Sequence, residues 1–270
     1  MSVININKYV LIFLGISLSQ GLANTAISAP APIITSTQSL ADTQDGAFGI
    51  GLTSSIAQRP FVGVDDQTAV LPYFSYRYKH FYIEGLDAGF KLINDAEYSL
   101  DVLATPRFYE VKSSFADNSE LDGINSTKES YFGGFSIQIK ADHATYTFQL
   151  LHDLIESDGN ELVMQVAKQL QIADNFSLTP SAGLTYQDNK LVDHYYGVQA
   201  NESIAGRPQY EGKGSTNFNV TLNANWRISK NIDLLGQVKY EVPDNGITDS
   251  PIVDEDALYN FTVGAIYRFH

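Results

Sequence analysis

The sequence predicts an all-β protein, a single antiparallel transmembrane β-barrel of roughly 10–12 strands with long outer loops and short periplasmic turns. Three observations carry this expectation. Long segments alternate apolar and polar residues strictly. Aromatic residues are in excess, with 16 Tyr and 15 Phe among 270 residues. The chain also opens with an export signal.

The alternation is cleanest toward the C-terminus. Phe218, Val220, Leu222, Ala224, Trp226 and Ile228 occupy even positions, and Asn217, Asn219, Thr221, Asn223, Asn225 and Arg227 occupy odd ones. Successive strand side chains point to opposite faces, so one face is apolar and the other polar. The next segment sets Ile232, Leu234, Gly236, Val238, Tyr240 and Val242 against Asp233, Leu235, Gln237, Lys239 and Glu241. The last sets Tyr259, Phe261, Val263, Ala265, Tyr267 and Phe269 against Asn260, Thr262, Gly264, Ile266 and Arg268. These runs match the 9–11 residues that a tilted strand needs to cross a bilayer. A soluble sandwich or lipocalin-like barrel also alternates. Aromatic residues at the ends of the apolar faces and mid-strand charges on the polar faces favour a membrane barrel with a wet interior. Phe218, Val220, Leu222, Trp226, Tyr240, Tyr259, Phe261 and Phe269 are therefore expected to meet lipid. Arg107, Arg227, Lys239, Glu241 and Arg268 are expected to face the lumen.

Phe176, Leu178, Pro180, Ala182, Leu184 and Tyr186 alternate in the same way with Ser177, Thr179, Ser181, Gly183, Thr185 and Gln187, and weaker alternation places further strands near 46–57, 69–79, 97–110, 129–140, 142–152 and 161–172. The stretches 80–93 and 190–198 are irregular. A strand ending in the periplasm at the C-terminus puts 243–256 outside, and parity then works cleanly if neither irregular stretch is a crossing, giving 10 strands. Counting both gives 12 and moves some short turns outside. Pro243–Asp256 reads as an exposed outer loop, since Pro, Asp, Asn and Gly favour turns and its acidic residues are solvated outside lipid.

At the N-terminus, Lys8 precedes an apolar run from Tyr9 to Leu18, and Gly21-Leu22-Ala23 supplies small residues for cleavage. The expected organisation is a signal peptide over 1–23, a flexible periplasmic leader over 24–45, and a barrel over 46–270. N-terminal sequencing of membrane-extracted protein should begin near Asn24; an intact Met1 refutes export by this signal.

Composition excludes several classes. With 31 Asp and Glu against 17 Lys and Arg, the chain lacks the basic face that nucleic acid requires. It has no cysteine, hence no disulfide or thiolate site. No EF-hand spacing occurs in the acidic run Asp244, Asp249, Asp254, Glu255, Asp256, which reads as a solvated surface able to bridge to lipopolysaccharide through divalent ions. His152-Asp153 and Asp193-His194 are neighbours in sequence, but adjacent strand residues point apart, so neither pair is a catalytic dyad. Neither cofactor nor metal is expected. A barrel of this size is largely filled by its own side chains, which predicts a narrow or plugged lumen.

Several short segments, in order, resemble a known family. Gly49-Ile50-Gly51 leads to Arg59-Pro60-Phe61-Val62-Gly63-Val64-Asp65; Leu71-Pro72-Tyr73-Phe74-Ser75-Tyr76 follows; then come Asp193-His194-Tyr195-Tyr196-Gly197-Val198, Tyr210-Glu211-Gly212-Lys213-Gly214, Ser250-Pro251-Ile252-Val253 and Tyr267-Arg268-Phe269. Together they resemble the MipA/OmpV family of outer-membrane proteins, that of the MltA-interacting protein. Phe61 stands where that family has Tyr, and His270 follows its terminal aromatic. The resemblance implies a Gram-negative outer-membrane location and, as for the namesake, scaffolding of a murein hydrolase with a murein synthase. It supplies no catalytic residues. The expected function is a non-enzymatic scaffold for murein-remodelling proteins, with a passive channel or a surface adhesin as the alternative. Outer-membrane lipid, lipopolysaccharide and the barrel assembly machinery are further expected partners.

Overall fold

A computed structural model describes residues 46 and 48–269, apart from 113, 115, 117 and 118. The export signal, the leader and His270 lie outside the described residues. The described chain forms β1 (Phe48–Ala57), β2 (Gln67–Tyr78), β3 (Phe81–Gly85), β4 (Asp87–Asn94), β5 (Tyr98–Arg107), β6 (Ser130–Lys140), β7 (Thr145–Asp153), β8 (Asn160–Ala167), β9 (Leu170–Ala173), β10 (Phe176–Gln187), β11 (Ser215–Arg227), β12 (Ile232–Val242) and β13 (Leu258–Phe269). Two helices, α1 (Asn189–Tyr196) and α2 (Asn245–Thr248), lie in the loops. No described helix is long and apolar enough to cross a membrane.

Every neighbouring pair is antiparallel, and β1 pairs with β13 as well as β2, so the sheet closes on itself. The closed barrel has 12 strands. β8 and β9 both pair along β10 and act as one interrupted strand. Closure pairs the first strand with the last, which is what a sheet needs to stand in lipid.

Twelve is reached by a route that parity alone does not give. Residues 190–198 are not a crossing; most of them form α1. Residues 81–94 supply two short strands. Lys79-His80 turns β2 into β3, with Lys79 at φ 53°. Gly85-Leu86 turns β3 into β4, with Gly85 at φ 64°, a value that suits glycine at the first corner of a tight hairpin. This hairpin spans only part of the wall. β2 pairs with β3 from Phe74 onward, and β4 meets β5 only as far as Ala104. Gln67–Tyr73 and Thr105–Arg107 therefore border an interruption. Gln58 N–H donates to the Tyr259 carbonyl, and Lys140 N–H to the Glu97 carbonyl. Counting alternate residues from these bonds turns the backbone nitrogens of Pro72 and Pro106 toward the interruption. Proline has no N–H, so both edges lose a donor where no strand receives it. Arg59 and an isolated Val64–Ala116 bridge join the loops on either side.

The alternating faces separate cleanly on β11. Asn217, Asn219, Asn223 and Asn225 are buried inside, whereas Phe218, Val220, Leu222 and Trp226 expose 39–48% of their surface outside. Tyr240, Phe261 and Phe269 are equally exposed. Tyr259 is half-buried at the loop end, its hydroxyl on the Asp66 carboxylate.

The capped lumen as candidate functional site

The long loops do not splay into solvent. Phe61, Val111, Leu121, Ile124, Leu191, Val192, Tyr195, Tyr196, Val198, Ile247 and Ile252 form one buried apolar cluster, continued by Leu103, Phe132 and Leu151 from the barrel wall. The sequence supports this locally. Asp188 caps α1, its carboxylate accepting from Leu191 N–H at 3.0 Å. Leu191, Val192, Tyr195 and Tyr196 then fall on one buried face. Tyr196 stacks on Phe61 at 5.7 Å, and Tyr195 meets Tyr109 edge-on at 5.7 Å. Polar ties hold the loops together. The Arg207 guanidinium donates to the carbonyls of Glu120, Asp122 and Glu202. Ser250 Oγ donates to the Tyr196 carbonyl at 2.6 Å. Arg59 donates to the carbonyls of Phe108 and Glu110, and its guanidinium lies 3.9 Å from the Glu110 carboxylate. Burial nevertheless holds the Glu110 carboxyl above its ordinary range.

This cap corrects the reading of Pro243–Asp256 as an exposed loop. Asp244 caps α2, and Ile247, Ser250 and Ile252 are buried. Apolar side chains in a short acidic stretch find a core that other loops supply. An epitope inserted after Asn245 is therefore expected to disrupt the cap. One inserted between Glu255 and Asp256 should be displayed on intact cells with heat-modifiable mobility retained. Display that requires permeabilisation would reverse the orientation.

Below the cap the inward-facing charges fall into separate groups. At the loop end, Arg107 makes a buried pair with Glu161, with nitrogen–oxygen distances of 2.7 and 3.1 Å. Tyr109 donates its hydroxyl to the same carboxylate at 2.7 Å. Lys239 lies 2.5 Å from Glu241 two residues along β12. At the turn end, Asp233 pairs with Arg268 and, at 3.4 Å, with Arg227, whose side chain is 47% exposed. Between them Tyr73 donates to Glu84, and Tyr73, Leu235 and Ile266 pack as a small apolar cluster. Leu235 and Ile266 are the apolar exceptions on otherwise polar faces, and here they pack against Tyr73.

Arg107, Lys239 and Glu241 thus converge on one region, whereas Arg227 and Arg268 belong to the other end. Glu161 was not among the candidates, though it stands at an inward position of its strand. Asp153 is turned inward, accepting from Ser130 and from the N–H groups of Ile155, Glu156 and Ser157. His152 instead meets Asn160 at 3.1 Å. Asp193 accepts from Gly212 N–H at 2.8 Å, and His194 faces Glu156 at 3.8 Å. His152 also lies 3.4 Å from the Asp158 carboxylate, so its aspartate neighbour in space is Asp158 and not Asp153.

A cavity of about 130 Å3 lies between the cap and the Lys239 level. Its walls include Arg59, Phe61, Tyr109, Tyr196, Asn219, Thr221, Gln237 and Asn260.

The description "MltA-interacting protein MipA" matches residues 50–269. The chain belongs to the MipA family. Among relatives of this family member, putative outer membrane protein YiaT of Escherichia coli K12 is 25% identical over 224 residues, covering 82% of this chain and 91% of that protein. The MltA-interacting protein of E. coli K12 is 23% identical over 229 residues, covering 83% and 91%. Outer membrane protein OmpV of Vibrio cholerae is 25% identical over 155 residues, covering 56% and 58%. The NanC porin structure has a TM-score of 0.44 at 9% identity, covering 81% of this chain and 98% of that one. The protein is a Gram-negative outer-membrane β-barrel.

Proposed function

We propose that this MipA-family barrel is a non-enzymatic docking element for cell-envelope proteins, murein-remodelling proteins among them. The observation that carries the reading is the apolar cap. A folded core over the loop end, with Tyr73, Leu235 and Ile266 packed together further down the lumen, favours working surfaces at the rims and the outside. The similarity to a protein named MltA-interacting protein supplies the partner class, a murein hydrolase acting with a murein synthase. The exposed faces of Phe218, Val220, Leu222, Trp226, Tyr240, Phe261 and Phe269 are assigned to lipid, with the outer rim toward lipopolysaccharide. The barrel assembly machinery is the partner during insertion.

Two measurements test this. Purified barrel in planar bilayers is expected to give no stable conductance steps, while immobilised barrel retains a purified murein hydrolase of the MltA type. Steady steps without retention favour the channel reading, which the cavity below the cap supports.

A further inference from the structure

We propose that the cavity beneath the cap is a binding site for a small, uncharged, hydroxyl-rich solute, about one sugar ring in size. This goes beyond the docking reading and does not depend on it.

Size is the first argument. A cavity needs roughly 10–15 Å3 on this measure to seat one water. The observed 130 Å3 therefore admits on the order of ten water-sized groups, close to the number of non-hydrogen atoms in a monosaccharide.

The second argument is charge. Arg59, Arg107 and Lys239 reach this region, and each has an acidic neighbour: Glu110, Glu161 and Glu241 respectively. Glu161 and Glu241 line the cavity beside Arg107 and Lys239, Glu110 stands behind Arg59 outside the lining, and the Arg107–Glu161 pair is nearly inaccessible to solvent. An ionic ligand entering here would have to break an existing pair, which is unfavourable in a poorly hydrated site. A neutral ligand leaves all of them intact.

The third argument concerns hydrogen bonds. Asn219 on β11 stands beside Glu241 on β12, and Thr221 beside Lys239, which in turn stands beside Asn260 on β13. The floor is therefore a contiguous patch of amide, hydroxyl and compensated ionic groups. Asn260 is only 8% exposed, and its Oδ1 accepts from Thr262 at 2.9 Å. Its Nδ2 is buried without a partner among the described residues. Buried polar groups are seldom left unsatisfied, and such a donor marks a place where something else bonds. The opposite side carries the rings of Phe61, Tyr109 and Tyr196. An apolar ring face on one side and amide and hydroxyl groups on the other suit a pyranose, which presents C–H on its faces and O–H on its edge.

The test uses the full folded barrel in detergent. Ligand-observed saturation-transfer NMR is run with glucose, N-acetylglucosamine and galacturonate as separate probes. Glucose or N-acetylglucosamine should bind saturably and more tightly than galacturonate. Asn260→Leu should weaken binding about 3- to 10-fold, the range for loss of one hydrogen bond. Thr221→Phe, which fills the cavity, should abolish it. Asn225→Leu, lower on β11 and outside the cavity, should leave it unchanged. Heat-modifiable mobility confirms that each variant is folded. The proposal is overturned if folded wild type binds no neutral sugar, if galacturonate binds more tightly, or if folded Thr221→Phe binds as wild type does. Failure here leaves murein-hydrolase retention untouched, so the two readings fall separately.

Discussion

Replacing Arg107 by methionine is expected to destabilise the barrel by about 3–5 kcal/mol, the usual loss when one member of a buried ion pair is removed. Arg107 donates twice to Glu161, and its remaining nitrogen reaches Thr105 and the Pro106 carbonyl. Without it the Glu161 carboxylate keeps only the Tyr109 hydroxyl and Lys239 at longer range. The double variant Arg107→Met with Glu161→Leu should recover most of the loss, since well-packed apolar groups often replace a buried pair without net cost. Reversible unfolding in urea, in lipid vesicles, measures both. If the double variant is as unstable as the sum of the two single ones, the pair is not energetically coupled.

The second large effect is on facing. Leu222 sits mid-strand on the outer surface of β11, between Pro180 and Val238 of the adjoining strands. Leu222→Arg is expected to cost about 2–4 kcal/mol, as for a charge facing lipid at the midplane. Thr221→Arg, one residue earlier, points into the cavity beside Lys239. It should cost clearly less, because Glu161 and Glu241 line that cavity, whereas lipid offers a guanidinium no partner. Equal losses for the two variants would break the assignment of inner and outer faces.

The barrel was legible in the sequence because alternation is a local property. Whether Phe218 and Asn219 point apart is decided by the strand backbone itself, so no distant residue needs to be known. Arg107, Lys239 and Glu241 are assigned to the inner face on the same ground. The count of strands was less legible. The segment 81–94 is too short and irregular to announce itself, and its two halves become strands by pairing with β2 and β5. The helix α1 was hidden for a related reason. Eight residues of marginal helix propensity need a tertiary surface to bury Leu191, Val192, Tyr195 and Tyr196.

The candidate site was legible only in part. Arg107 was identified without Glu161, because 54 residues separate the partners and nothing local connects them. The cap was not legible at all. Phe61, Leu121, Tyr195 and the pair Ile247 and Ile252 come from four different loops, each of which alone looks like a polar connection with stray apolar residues.

By itself, then, the sequence determined an exported, membrane-spanning β chain with a polar inside and an apolar outside, since period and composition act residue by residue. Only the tertiary structure decided that 12 strands close the ring, that the loops fold into a core over one mouth, and that a cavity lined by apolar groups and paired charges lies beneath it. Those features depend on burial and charge pairing between segments far apart in the chain, and such contacts exist only once the ring has closed.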